Sequence, residues 1–191
     1  MFFFDPAVFA WLNANAHTAA WSVDLARLLS AWLPQLAGAA VALGLVFGSP
    51  AIRRSLLKVL AAMVLAWCLA RLIRWGFPMP RPYQLEMGTR WVEHGGRASF
   101  PSMHACASFA LAQALALAYT RRFRWLIALG WASALGVAWS RAHLGVHFPS
   151  DLLAGALLGC ASAYLVHRAC NAWLHRQTPV LARSQPSSRQ P

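Results

Sequence analysis

The chain has 191 residues, 59% of them hydrophobic and only 12% charged, about half the roughly 25% charged content of a soluble domain. Its formal net charge is +12, from 17 Lys+Arg against 5 Asp+Glu. Most of those cations flank long apolar runs instead of forming a soluble basic stripe, so the composition points to an integral membrane protein and away from a nucleic-acid partner. The length allows one or two domains. Cys68, Cys106, Cys160 and Cys170 lie in or beside apolar runs, as small packing residues do, and none has a zinc-ligand spacing.

The N-terminal stretch "MFFFDPAVFAW" lacks the basic start and cleavage site of a removable signal peptide. Residues 6–24, broken by "NANAH", read as an amphipathic or re-entrant segment at the membrane surface. Five spans follow, over 28–47, 56–73, 102–119, 125–139 and 152–166, the last extending to about 173. The expected fold class is therefore all-α, a polytopic membrane bundle of about five transmembrane helices plus the N-terminal segment. Gly, Ala and Ser are abundant inside the runs, which lets helices approach closely in lipid. The membrane domain is placed at 1–177, and 178–191, rich in Ser, Gln, Pro and Arg, is expected to be a disordered cytoplasmic tail.

Orientation follows from positive charge in short loops. "RRSLLK" between spans one and two, "RRFR" between spans three and four, and Arg168, Arg176 and Arg183 after span five all fall on one side. That side is expected to be cytoplasmic. Segments 74–101 and 140–151 then share the outer face.

Three short motifs meet on that outer face: Arg74 followed after six residues by Arg81-Pro82; Pro101-Ser102-Met103-His104; and Ser140-Arg141 followed by His147 and Asp151. Arg74, Arg81 and Arg141 offer permanent cations with planar donor forks suited to phosphate oxygens. Ser102 stands where it would cap span three, at a helix end that favours anions. His147 is the candidate nucleophile, Asp151 four residues on the group that orients it, and His104 the acid for the leaving oxygen. Together they supply the parts of a metal-independent phosphoryl transfer through a phosphohistidine.

These stretches resemble the three-part signature of the type 2 phosphatidic acid phosphatase (PAP2) superfamily: Lys-x6-Arg-Pro, Pro-Ser-x-His and Ser-Arg-x5-His-x3-Asp. The second and third match at every defined position, whereas Arg74 stands where the family usually has Lys. Within the superfamily, the short length, the N-terminal segment and "AWSRAHLGVHFPSD" resemble bacterial undecaprenyl-diphosphate phosphatases. The resemblance implies hydrolysis of a polyprenyl diphosphate to its monophosphate and phosphate, recycling the carrier for peptidoglycan synthesis. No cofactor or metal is expected, because the arginines supply the charge and no carboxylate cluster is available to hold a cation; the resemblance and the loop charges together imply a multi-pass place in the bacterial inner membrane, with the site facing the periplasm or exterior. Alternatives are a broader phosphatase of phosphatidylglycerophosphate or phosphatidate, a lipid A phosphotransferase, and a catalytically silent lipid-binding or lipid-transporting member. His143 falls at a variable family position and is assigned to packing or pocket lining; His94 and Arg97 are candidates for headgroup contact or a solvated loop.

Overall fold

The computed structural model describes residues 3–93, 98–119 and 123–183. Six α-helices follow in order: α1 (Asp5–Leu12), α2 (Ala20–Phe47), α3 (Pro50–Gly76), α4 (Met103–Ala118), α5 (Arg124–His143) and α6 (Pro149–Arg183), with a short 3-10 turn at Pro82–Leu85 between α3 and α4. The all-α membrane bundle expected from composition is the fold observed. By length and composition, α2, α3 and Pro149–Leu174 of α6 suffice to cross a membrane. At 16 residues, α4 rises about 24 Å and lies within the bundle. Its Ala105, Cys106, Ala110 and Ala112 are fully buried, packed towards α3, α5 and α6.

The boundaries near the two ends of the chain move relative to the sequence reading. The first span begins at Ala20, so residues 20–24 belong to it and not to the surface segment. What remains of that segment is α1, eight residues long and about 12 Å in rise, too short to span. At the other end, α6 continues through 178–183, six residues into the expected disordered tail. Leu181, Ala182 and Arg183 are good helix formers, whereas the Ser, Gln and Pro that suggested disorder come mostly after them; residues 184–191 lie outside the described residues.

Local chemistry sets the helix ends. Ser49 caps α3, its Oγ accepting from the Ile52 N–H at 3.4 Å, with Pro50 in the first turn. At α6, Pro149 opens the helix and Asp151 reaches back to the Phe148 N–H at 2.9 Å, half of a capping box. Packing of α6 on α4 depends on small residues: a Cβ at Gly155 would lie 2.7 Å from the Ser102 carbonyl oxygen and 2.9 Å from Ala105 Cβ. That close approach sets the start of α4 against the start of α6, where the Ser102 N–H donates to the Asp151 carbonyl at 3.0 Å.

Candidate active site

The C-terminal ends of α3 and α5 and the N-terminal ends of α4 and α6 lie at one end of the bundle, and they carry all three motifs. α5 runs past the expected end of its span to His143, which places Ser140 and Arg141 on its last turn. A short loop then delivers His147 to the start of α6. Gly145 in that loop has φ +75°, and a Cβ there would sit 2.1 Å from the Thr89 carbonyl oxygen, so the turn needs glycine.

His147 is 1% exposed and Asp151 2%. His147 Nδ1 lies 3.3 Å from Asp151 Oδ2, the loop histidine meeting the carboxylate on the first turn of α6, which begins at Pro149. On the other side of the ring, Nε2 is 3.3 Å from Arg81 Nη1. A guanidinium has no acceptor, so Nε2 presents its lone pair and the proton belongs on Nδ1, facing the carboxylate. Burial, and then the charges of Arg81, Arg141, Arg74 and His104, push the His147 imidazole well below the usual histidine range, leaving it neutral at pH 7.

The arginines are held differently. Arg81 is fully buried; it donates to the carbonyls of Val146 at 2.8 Å and Ala98 at 3.0 Å. Burial, with Arg74 next, lowers its pKa from the usual arginine value, a strain that a bound anion would relieve. Arg74 is half-buried and donates to the same Ala98 carbonyl. Arg141, 4% exposed, donates through Nη1 to Ser30 Oγ at 2.6 Å, but its Nε and Nη2 are buried with no partner. Ser102 occupies the N-cap position of α4, yet its hydroxyl makes no capping bond; the expected cap is corrected to a fully buried, unpartnered Oγ. Orphaned buried polar atoms cost about 1–3 kcal/mol each, and a bound anion would satisfy all three of these. His104 stands half-buried in the first turn of α4.

The loop and helix starts are braced by residues that periodicity could not reveal. Ser99, fully buried, donates from Oγ to Asp151 Oδ2 at 2.5 Å. Asp5 of α1, also fully buried, accepts from Ser150 N–H at 2.9 Å and Ser150 Oγ at 2.6 Å. Asn13 donates to the carbonyls of Thr89 and His143 at 3.0 and 3.1 Å. Phe9 meets Phe148 edge-on at 5.5 Å between centroids. The only advance signals were an acid inside an aromatic run for Asp5 and proximity to the second motif for Ser99. His143 packs as expected, stacked on Trp139 at 4.6 Å, with Nδ1 2.8 Å from the Leu12 carbonyl oxygen. His94 and Arg97 lie outside the described residues.

This is the anatomy of a multi-span membrane protein with a cationic cluster gathered at one end of its bundle. The family model described as the PAP2 superfamily matches residues 55–174, a stretch that contains all three motifs, and the chain belongs to that superfamily of membrane lipid phosphatases. It is 30% identical over 178 residues to the Escherichia coli (strain K12) protein named "Putative undecaprenyl-diphosphatase YbjG", covering 90% of this chain and 86% of that one. It is 36% identical over 89 residues to the lipid A 4'-phosphatase of Bacteroides thetaiotaomicron, covering 45% and 39% of the two chains. The crystal structure of Aquifex aeolicus LpxE superposes with a TM-score of 0.70 at 23% identity, over 87% of this chain and 96% of that one, which shows a shared fold.

Proposed function

We propose that the protein hydrolyses a polyprenyl diphosphate, undecaprenyl diphosphate in the cell, to the monophosphate and inorganic phosphate through a phosphohistidine on His147. The observation that carries the reading is the set of buried, unpartnered donors, Arg141 Nε and Nη2 and Ser102 Oγ, beside the neutral, Asp151-oriented His147. With Arg74 and Arg81 they form a cradle for one phosphoryl group.

His147 Nε2 attacks the terminal phosphorus. The P–O bond to the lipid monophosphate breaks as protonated His104, in the first turn of α4, gives its proton to the departing oxygen. The phosphoimidazolium keeps its proton on Nδ1 beside the Asp151 carboxylate. Neutral His104 then takes a proton from water, which attacks phosphorus, releases inorganic phosphate and returns Nε2 to its lone-pair state. The developing equatorial charge falls to the three guanidiniums and Ser102.

An apolar cleft lined by Leu33, Pro34, Ala37, Met63, Leu111 and Val137 supports a lipid substrate. It lies one helical turn inward of Ser30 and Arg141, within reach of a chain whose headgroup sits on the arginines. The relative named as an undecaprenyl-diphosphatase supports the diphosphate specificity. The partial match to a lipid A phosphatase keeps lipid A as the second candidate. Positive loop charge at the opposite end of the bundle supports a site facing the periplasm or exterior of a bacterial inner membrane.

Phosphate release by the detergent-purified chain from undecaprenyl diphosphate, phosphatidylglycerophosphate, phosphatidate and lipid A tests the substrate. The expected result is the highest kcat/KM on the diphosphate, unchanged in EDTA because arginines and not a metal carry the charge. Higher kcat/KM on any of the others overturns the diphosphate assignment.

A further inference from the structure

We infer that Ser99 is a positioning residue for the nucleophile, a hydroxyl inserted between His147 and Asp151 that fixes which ring nitrogen faces phosphorus; the inference rests on the phosphohistidine reading. His147 Nδ1 is as far from Ser99 Oγ, 3.3 Å, as from Asp151 Oδ2. Ser99 Oγ is much closer to the carboxylate, at 2.5 Å. One hydroxyl can serve both neighbours only in one sense: its proton goes to Asp151 Oδ2, and its lone pair accepts the His147 Nδ1–H. Asp151 alone holds the imidazole at a long distance, while its Oδ2 already accepts from the Phe148 N–H at 2.9 Å. The hydroxyl gives Nδ1–H a second acceptor and carries the carboxylate's charge towards the ring. Without it the tautomer carrying the proton on Nε2, which cannot attack, gains population.

Ser99 is itself placed by the first motif. Its N–H donates to the Met79 carbonyl at 2.8 Å, and the preceding Ala98 carbonyl accepts from both Arg74 and Arg81. The dipeptide Ala98-Ser99 therefore ties the phosphate-facing arginines to the His147–Asp151 pair. The side chain is fully buried, so water does not substitute for it freely.

The test uses the full-length protein in detergent with farnesyl diphosphate as the probe, comparing Ser99→Ala, Ser99→Cys, Ser99→Thr and His147→Ala with wild type. Loss of a hydrogen bond to a charged partner predicts a kcat about ten- to a hundredfold lower in Ser99→Ala, with KM little changed. Ser99→Cys fills the same space with a poor hydrogen-bonding group and should lose kcat as well, which keeps the question open to an answer if the alanine variant does not fold. Ser99→Thr, which restores the hydroxyl, should recover most of kcat; a purely structural role would not separate threonine from cysteine in this way. Wild-type kcat in Ser99→Cys or Ser99→Ala overturns the inference while an inactive His147→Ala leaves the phosphohistidine reading standing. Turnover by His147→Ala overturns that reading itself.

Discussion

Arg141 illustrates how a residue that burial should penalise is kept for what it does not yet touch. Its Nη1 donates to Ser30 Oγ, while Nε and Nη2 are buried without partners. The bidentate fork is the feature that separates arginine from lysine. Arg141→Lys keeps the charge and loses the fork, so kcat/KM should fall about 10–100-fold, the value of a charge-assisted hydrogen bond that tightens in the transition state. Arg141→Ala should fall further. Equal kcat/KM for arginine and lysine would show that the fork does not meet the phosphoryl group. Ser30 was invisible in the sequence as a polar residue within an apolar run; nothing in a helical period says that an arginine 111 positions away rests on it. Pro34, inside α2, lacks an N–H and so cannot bond the Ser30 carbonyl four residues back.

At the scale of elements, the site depends on α4 and α6 meeting at their first turns. Gly155 makes that contact, whereas Gly38 in α2 has nothing within 4 Å of a built Cβ. The two glycines therefore predict opposite outcomes for the same substitution. Gly155→Ala must push backbone against backbone at Ser102, at a cost of about 1–3 kcal/mol, and should lower both thermal stability in detergent and kcat. Gly38→Ala should be neutral or stabilising by up to about 1 kcal/mol, the helix-propensity difference. If Gly155→Ala melts and turns over like wild type, the close approach of α4 to α6 is not what aligns Ser102 with Asp151. The helices themselves were legible because their apolar runs are long, and the motifs because each is a short spacing at a helix end. The α1 brace was not. Asp5 and Ser150 are 145 residues apart, and only the folded chain shows that an eight-residue helix clamps the loop carrying His147. Ser99 was missed for the same reason, since residues 98–100 form no periodic element.

For the whole molecule, the family and the all-α bundle follow from composition and from three ordered motifs, while the side on which the site opens rests on charge alone. Glu93 lies at the site end and is exposed; Arg54, exposed too, lies in the first turns of α3 at the other end. In a background without native cysteines, Glu93→Cys should react with an impermeant thiol reagent in intact cells. Arg54→Cys should react only after the membrane is opened. The reverse pattern would place the site on the cytoplasmic leaflet.

The proposed mechanism turns on a covalent bond between phosphorus and His147. Brief incubation with a diphosphate labelled at its terminal phosphorus, quenched in alkali, detects that bond. His104→Ala removes the group proposed to activate water, at a typical cost of about 10²–10⁴-fold, so a good leaving group should leave label on the protein, stable to base and lost in acid. No such label should form on His147→Ala. Equal labelling of the two variants, or label that resists acid as a phosphoserine does, would rule out a phosphohistidine at His147.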